Sequence, residues 1–463
     1  MQACLLMAEC EHFIKIYPTF AEVQIKIPIF AVDKTAEFRK KIEWTMEFKR
    51  EKQLQRLLNS RHNGMIKIIT GMRRCGKSYL LFNLFGKALL REGVDSKHII
   101  KINLEDRRNA ELRNPDKLLH YIDTRLDDED MHYVLLDEVQ LVQEFEDVLN
   151  SYLHVSNADV YVTGSNARFL SKDVITEFRG RGHEIRVSPL SFAEFAQSRD
   201  GQLIDDILLE YMNYGGLPQV ALMSENWERE DFLKSIFTHT YLRDIKDRYN
   251  IQLDNDLEDL VTMLASAIGG LTNPRKLENT FRSVKHSSIT QDTIKRYLDY
   301  LQDAFLIEKA VRYDIKGKRY LDTPAKYYFE DLGLRNARLN FRQFEESHLM
   351  ENLIYNQLRM RGLSVDVGEV VVNTVSDEGK NVRRTLEVDF VCNRGYRRYY
   401  IQSAYSIPDQ AKRDQELKSL RNINDSFQKV VVLGNHTPKH LNDDGILFLS
   451  IYDFLMDENS LSI

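Results

Sequence analysis

Eight consecutive residues near the start of the chain have the composition and spacing of a phosphate-binding loop. Residues 71–78 read Gly-Met-Arg-Arg-Cys-Gly-Lys-Ser and fit the pattern G-x-x-x-x-G-K-[ST]. The two glycines permit a tight turn in which successive backbone N–H groups converge on a phosphate. We expect Lys77 to reach the β- and γ-phosphates and the Ser78 hydroxyl to hold Mg²⁺. The residues predicted to bind the nucleotide are therefore Gly71, Met72, Arg73, Arg74, Cys75, Gly76, Lys77 and Ser78.

Two adjacent acids follow an apolar segment further along the chain. Residues 133–136 read Tyr-Val-Leu-Leu and predict a buried strand, which Asp137 and Glu138 terminate. The carboxyl ends of parallel strands form the edge of a sheet at which ligands bind. We expect Asp137 to hold Mg²⁺ through water and Glu138 to act as the general base on an attacking water. The second acid favours water as the acceptor, and therefore hydrolysis over phosphoryl transfer to a small molecule.

Two further polar segments could complete a hydrolytic site. Ser165 and Asn166 follow a predicted strand that ends at Thr163, and a polar side chain there could contact the γ-phosphate or position the water. We favour Asn166 for this role. Arg179 and Arg181 precede the next predicted strand, and an arginine there could stabilise transition-state charge on a neighbouring subunit's nucleotide. We favour Arg181, and because this role needs a neighbour it predicts a homo-oligomer.

Short apolar segments alternate with helix-period segments around these residues, which predicts an α/β domain with a parallel sheet. The predicted strands are Met65–Thr70, His98–Leu104, Met131–Gln140, Val160–Thr163 and Glu184–Val187, and the predicted helices include Met46–Leu58 and Tyr79–Leu90. The first 45 residues show no pattern to which a function can be given.

Composition restricts the class of protein. The chain has 463 residues, 43% hydrophobic and 29% charged, which predicts a globular protein of two or three domains. A net charge of −6 indicates that any nucleic-acid surface is local. The cysteines at positions 4, 10, 75 and 392 form no CxxC pair, which fits a reducing compartment. With no apolar run of about 18 residues and no basic segment before the first apolar stretch, we expect a cytoplasmic protein without a membrane span.

The ordered set of motifs resembles a large family of prokaryotic predicted ATPases of the AAA+ superfamily. The residues that carry the resemblance are 71–78, Leu-Asp-Glu-Val-Gln at 136–140, Thr-Gly-Ser-Asn at 163–166, Gly-Arg at 180–181, Pro-Leu-Ser-Phe at 189–192, Tyr-Gly-Gly-Leu-Pro at 214–218, Tyr-Leu-Arg-Asp-Ile at 241–245 and Lys-Tyr-Tyr-Phe-Glu-Asp at 326–331. The resemblance implies ATP as the nucleotide and an α/β P-loop NTPase of the additional-strand, AAA+ type. It also implies a following winged-helix segment and a restriction-endonuclease-like α/β domain. The expected domains are 1–45, 46–225, 226–340 and 341–463.

The middle segment has features of a winged helix. Ser288 and Gln291 have capping-box spacing before a helix, and segments 311–320 and 326–329 read as a hairpin around a Lys-Gly-Lys turn. Residues 274–329 contain 12 Lys/Arg against 7 Asp/Glu, which favours phosphate contact. The candidate DNA-binding residues are Lys295, Arg296, Lys316, Lys318 and Arg319. A winged helix can equally serve as a packing or protein-contact module.

The C-terminal segment resembles a restriction-endonuclease core that has lost its catalytic residues. Glu351 on a predicted helix and Asp389 on a predicted strand match two metal-binding positions, but Gln402 replaces the expected acid and Ala404 the expected lysine. Gln is a poor Mg²⁺ ligand and Ala cannot activate water, so we expect a degenerate nuclease site. The favoured function is an Mg²⁺-dependent ATPase whose cycle moves the later domains, with DNA or an unknown protein as partner. The alternatives are a nucleotide-gated protein-binding switch and a nuclease-like effector in defence or DNA processing.

Overall fold

The computed structural model describes residues 47–164, 180–251, 254–375 and 381–462. Residues 48–463 form one compact unit. The N-terminal extension and Asn166, with Ser165 and Arg179, lie outside the described residues. Among the helices in the described ranges, none is long and apolar enough to cross a membrane.

The first sheet has five parallel strands in the order β2-β3-β4-β1-β5. Its strands are β1 (Ile66–Thr70), β2 (Ile99–Asn103), β3 (His132–Asp137), β4 (Ala158–Thr163) and β5 (Gly182–Arg186). Every residue of β1 and β3 is buried, because helices cover both faces of a parallel sheet. All five predicted strands are therefore present, with ends that differ by one or a few residues.

Some of the helices pack around the first sheet, and others form a helical bundle that follows it in the chain. They are α1 (Glu51–Asn59), α2 (residues 77–91), α3 (Pro115–Asp123), α4 (Phe145–Tyr152), α5 (Phe192–Ala196), α6 (Ile204–Tyr214), α7 (Pro218–Ala221), α8 (residues 226–249), α9 (Asp254–Ser266), α10 (residues 274–285), α11 (Gln291–Asp303), α12 (Leu332–Arg338), α13 (Glu346–Met360), α14 (Gln410–Arg421) and α15 (Ile451–Met456). Short 3₁₀ turns occur at Ser96–His98, Arg107–Arg113 and Val139–Leu141. One continuous apolar core joins α2 to α8, α9 and α11.

The second sheet has eight strands and includes the hairpin that the sequence predicted as a wing. Its order is β12-β13-β11-β10-β9-β8-β6-β7. The strands are β6 (Ile307–Asp314), β7 (Arg319–Phe329), β8 (Ser364–Val375), β9 (Asn381–Arg394), β10 (Arg397–Ala404), β11 (Gln428–Leu433), β12 (His440–Leu441) and β13 (Leu447–Ser450). β6 pairs in parallel with β8, with Arg312 opposite Val367.

The hairpin therefore differs from a free wing. Tyr313 and Ile315 share an apolar core with Val370 and Val388, and burial of these side chains holds the hairpin on the C-terminal sheet. The boundary expected between residues 340 and 341 divides the strands of this one sheet.

The helix start predicted at Ser288 is wrong, because the helix begins two residues later than predicted. α11 begins after Thr290, whose hydroxyl accepts a hydrogen bond from the backbone N–H of Thr293 at 3.3 Å. Thr290 has the extended backbone of an N-cap residue. Its side chain therefore satisfies the Thr293 N–H, which has no partner within the helix.

Candidate functional site

The loop between β1 and α2 has the backbone that the motif requires. Gly71 has φ +139°, and a Cβ there would overlap the carbonyl oxygen of Val187. Gly76 has φ +100° and is the N-cap residue immediately before α2. Lys77 is buried, and its Nζ donates to the carbonyl oxygens of Gly71 and Met72 at 3.0 and 2.9 Å. Glycine is therefore needed at both positions, and the lysine ammonium lies inside the loop.

The loop and the acidic strand end meet at Asp137. Its Oδ1 accepts hydrogen bonds from Ser78 Oγ at 2.9 Å and from Thr163 Oγ1 at 2.5 Å. Burial raises the pKa of Asp137, and the hydrogen bonds from Thr163 and Ser78 oppose that shift. Hydroxyl and carboxylate oxygens are the donors that Mg²⁺ prefers, so Ser78 and Asp137 fit the metal role predicted for them.

Glu138 lies beside this pair, at the same edge of the sheet. Its backbone is left-handed, with φ 55°, and its N–H donates to Thr163 Oγ1 at 2.9 Å. Gln140 Nε2 donates to the Glu138 carboxylate. The Glu138 side chain is thus held where strand β3 turns away from the sheet.

Thr163 is a site residue that the sequence reasoning missed. It ends β4, and its one hydroxyl donates to Asp137 and accepts from the Glu138 N–H, so it fixes both acids. The register between β3 and β4 places Leu136 opposite Val162, so the next residue of each strand is also adjacent. A hydroxyl residue at the end of the neighbouring strand was the available signal.

The outer wall of the loop comes from segments far along the chain. The Tyr241 hydroxyl donates to the carbonyl oxygen of Arg73 at 2.6 Å, and Arg73 Nε pairs with Asp244 at 2.6 Å. Both partners are on α8. Arg74 Nη1 donates to Gln219 Oε1 at 3.3 Å. The helix that follows the first sheet therefore contacts the backbone of the phosphate-binding loop directly.

Asp331 connects this region to the second sheet. Its carboxylate accepts from the backbone N–H of Gly216 at 2.8 Å and of Leu334 at 3.0 Å, at the start of α12. Burial raises the pKa of Asp331 to about 6. A Cβ at Gly216 would come within 2.4 Å of the Leu190 carbonyl oxygen, so the close approach of residue 216 to Leu190 needs glycine.

A second connection is an ion network at the end of β5. Arg186 pairs with Glu308 of β6 and, at 2.5 Å, with Glu330 after β7, and Glu308 also accepts from Arg359 Nε at 2.9 Å. Burial raises the pKa of Glu330 to about 7, while Arg186 opposes the shift. For Glu308, burial is outweighed by Arg186 and Arg359, which lower its pKa.

Arg181 lies at the amino ends of the strands of the first sheet, whereas the phosphate-binding loop is at their carboxyl ends. It is exposed immediately before β5, and its carbonyl oxygen accepts from the N–H of Ile66 at the start of β1. The five residues of β5 span about 16 Å at about 3.3 Å per residue. This length separates Arg181 from the loop of its own chain, so a role in charge stabilisation requires a second subunit.

The basic residues predicted to contact DNA are distributed over two elements. Lys295 and Arg296 are on α11, where Lys295 pairs with Asp292 at 3.3 Å. The other three, Lys316, Lys318 and Arg319, are in or beside the hairpin turn, and Lys316 Nζ donates to the carbonyl oxygen of Val371 in β8. The turn therefore lies against the C-terminal sheet.

The nuclease-like residues surround a lysine that the sequence reasoning did not assign. Lys326 Nζ on β7 lies 2.9 Å from Glu351, 2.7 Å from Glu387 and 3.9 Å from Asp389. Burial lowers the pKa of Lys326, but Glu351, Asp389 and Glu387 raise it above its ordinary value overall. One ammonium of the chain itself therefore lies among the three carboxylates and offsets part of their charge.

Gln402 does not complete this group of charges. Its Nε2 donates to Glu416 at 3.3 Å, while its buried Oε1 has no hydrogen-bond partner among the described residues. Ala404 is buried in the apolar core of the C-terminal sheet. Asp389 accepts instead from the Ser403 N–H at 2.8 Å.

Comparison with known proteins places this site in a family. Residues 63–196 match the AAA domain, and residues 205–345 match a domain of unknown function, DUF8612. An uncharacterized protein of Haemophilus influenzae is 32% identical over 412 residues, which covers 88% of this chain and 98% of the relative. An uncharacterized protein of Methanocaldococcus jannaschii is 27% identical over 365 residues, or 76% of this chain and 77% of the relative.

A search of solved structures finds the Aeropyrum pernix Orc1 protein in complex with DNA at 12% identity, covering 62% of this chain and 91% of that one. The TM-score is 0.28, which is too low to support an inference for this chain.

Residues 63–196 therefore form an AAA domain, and its five-stranded parallel sheet and phosphate-binding loop fit a P-loop NTPase fold. The chain belongs to the same family as the Haemophilus influenzae protein. The match to a domain of unknown function covers α6 to α12 and the hairpin, and it gives no support to the winged-helix or endonuclease-like prediction.

Proposed function

We propose that the protein is an Mg²⁺-dependent ATPase whose nucleotide state is transmitted from the phosphate-binding loop to the later part of the chain. The observation that carries the proposal is the convergence of Ser78, Thr163 and Glu138 on Asp137 and its immediate surroundings. These residues come from the loop and from the ends of two neighbouring strands, which is where ligands bind in such sheets.

Each residue has a distinct part in hydrolysis. The backbone of residues 71–78 binds the phosphates, and Lys77 leaves the loop carbonyls to neutralise the β- and γ-oxygens. Ser78 and, through water, Asp137 would hold Mg²⁺, which would supply charge neutralisation at the phosphates. Glu138 accepts a proton from the attacking water. Asn166 remains the residue proposed to orient that water or to contact the γ-phosphate.

The proposed path of transmission begins at the loop wall. A phosphate that draws Lys77 and the loop backbone outward also moves the Arg73 carbonyl, and Tyr241 and Asp244 connect that position to α8. The Arg186 network joins the first sheet to the hairpin. The Asp331 contact joins residue 216 to the start of α12. The proposed result is movement or assembly controlled by bound nucleotide.

Homo-oligomer formation is part of this proposal. Arg181 is too far from the loop of its own chain, so its guanidinium can serve only a nucleotide bound by a neighbour. Light scattering with ATP bound tests this point, because a strictly monomeric particle would remove it.

The decisive experiment compares Glu138→Gln with Glu105→Gln. Glu105 is an exposed acid that follows the neighbouring strand β2, and the hydrogen bonds among Ser78, Asp137, Thr163 and Glu138 do not involve its side chain, so its replacement makes the same chemical change without removing a site contact. We expect Glu138→Gln to bind ATP normally and to lose about 10²–10⁴-fold in turnover. Turnover that survives Glu138→Gln at the rate of the Glu105→Gln control contradicts the mechanism.

The partner is tested in the same assay with double- or single-stranded DNA added, and Lys77→Ala as the blank. Stimulation supports DNA as the partner and makes Lys318 and Arg319 the next targets. A slow rate that DNA does not change supports the alternative of a nucleotide-gated protein-binding switch. The nuclease alternative receives no support from the Lys326 group, because an ammonium occupies the space between the carboxylates.

A further inference from the structure

Two histidines and an aspartate lie together at the amino ends of β2 and β3. The phosphate-binding loop is at the other end of the first sheet, where the strands have their carboxyl ends. His98 ends a 3₁₀ turn immediately before β2, and His132 begins β3. Because Ile99 is opposite Tyr133 in the register, the two histidines are also neighbours, with ring centroids 4.6 Å apart. Asp128 lies in the loop before β3, and one ligand atom from each of the three residues lies within 4.8 Å of the others.

His132 presents a nitrogen that no described residue satisfies. The ring is 0% exposed, and its Nδ1 donates to the carbonyl oxygen of Asp130 at 2.8 Å. In the neutral ring this hydrogen bond places the proton on Nδ1 and leaves a lone pair on Nε2. Nε2 is buried without a hydrogen-bond partner among the described residues. A metal-binding histidine usually donates its other ring N–H to a carbonyl or carboxylate oxygen in this way, which fixes the tautomer.

We propose that His98, Asp128 and His132 bind a zinc ion. The proposal goes beyond the proposed ATPase, because this site is at the other edge of the sheet. Imidazole nitrogens with a carboxylate are ligands that suit Zn²⁺ and not Mg²⁺.

The distances support a tetrahedral ion. Zn²⁺ with ligands at about 2.0–2.2 Å places neighbouring ligand atoms about 3.3 Å apart. His98 Nε2 is 2.9 Å from Asp128 Oδ2, and His132 Nε2 is 3.9 Å from Asp128 Oδ1. Asp127 Oδ1 is also 3.6 Å from His132 Nε2. These separations lie on either side of the tetrahedral value.

Lys97 competes with the metal for Asp128. Its Nζ lies 2.7 Å from Asp128 Oδ2, and its side chain is 53% exposed, so it can turn into solvent when the ion binds. Removal of this ammonium is therefore expected to strengthen zinc binding, an effect that adventitious binding elsewhere on the chain would not show.

The experiment measures zinc stoichiometry and affinity on the chelator-stripped full chain by competition with a chromophoric chelator. We expect one zinc per chain at this site. Asp128→Asn and His132→Gln should each lower the zinc affinity by at least ~10–100-fold, which is the loss caused by removing a residue that only hydrogen-bonds to a metal ligand. Lys97→Met should bind zinc more tightly. His154→Gln, which changes an exposed histidine, and Asp137→Asn, which removes the Mg²⁺ ligand, should keep the zinc.

Asp128→Asn is the more decisive variant, because His132 is in the core and its replacement also needs a check of folding by circular dichroism. Unchanged zinc binding in Asp128→Asn and His98→Gln overturns the proposal, as does a wild-type chain that takes up no zinc at micromolar concentration. Because ATP hydrolysis is not the readout, failure here leaves the proposed ATPase untouched.

Discussion

Replacement of Lys326 by methionine tests whether the lysine holds together one acid of α13 and two acids of β9. Methionine keeps the apolar stem of the side chain and removes only the ammonium. Lys326 is 2% exposed, and its Nζ is 2.9 Å from Glu351 and 2.7 Å from Glu387. Glu351 and Asp389 are both buried, so the variant leaves buried carboxylates without a cation.

The expected loss of stability is about 3–5 kcal/mol, the cost of removing one partner from a buried ion pair. Urea unfolding followed by circular dichroism measures it, with Lys295→Met as the control. Lys295 makes an exposed pair with Asp292 at 3.3 Å, so the same chemical change there should cost at most about 1 kcal/mol.

The pH dependence gives a second, independent test of the same variant. Burial and then Glu351 raise the pKa of Asp389 well above its ordinary value. A carboxyl group of this kind contributes stability that is present below its unfolded pKa and is lost as pH rises through its folded pKa. Without Lys326 the shift grows, so the deficit of the variant should shrink on acidification. A deficit that equals the Lys295→Met control, or that is constant from pH 4 to pH 8, refutes the reasoning.

Three further predictions concern the connections around the site. Burial raises the pKa of Asp331 from 3.8 to about 6. The contribution of Asp331 to folding stability is therefore complete below pH 3.8 and is lost as pH rises through about 6. Asp331→Asn should remove about 3 kcal/mol of this pH dependence of the unfolding free energy, which urea unfolding from pH 4 to 7 measures. Thr163→Val removes the hydroxyl that fixes Asp137, so turnover should fall ~10–100-fold while ATP binding, measured by calorimetry, stays; equal loss of both contradicts this positioning role. Tyr241→Phe removes the hydroxyl that donates to the Arg73 carbonyl oxygen. The variant should lose about 0.5–1.5 kcal/mol of folding stability and should bind ATP more weakly. Unchanged ATP affinity would show that Tyr241 does not respond to the bound nucleotide.

Local patterns were sufficient to predict the first sheet and its phosphate-binding loop. The apolar strands, the glycine spacing and the acids at the end of β3 are all short-range signals, and the structure brings Ser78 and Asp137 into contact as expected. The AAA-domain match covers the same segment.

Contacts between distant segments could not be predicted in the same way. Tyr241 is 168 positions from the loop carbonyl to which it donates. Lys326 reaches Glu351 and Asp389 only because β6 crosses to pair with β8, and no local period encodes that pairing. The hairpin was predicted from its alternation and turn, but the sheet to which it belongs depends on Tyr313 and Ile315 finding a common core with β8 and β9.

The pairing of β6 with β8 limits how this molecule can be divided. A fragment that ends near residue 340 would keep the hairpin but lose β8, and would expose the unpaired edge of β6 together with Tyr313 and Ile315. Such an edge is a template for aggregation. The hairpin and the C-terminal strands therefore belong to one structural unit, and the ion pairs of Arg186 with Glu308 and Glu330 connect that unit to β5.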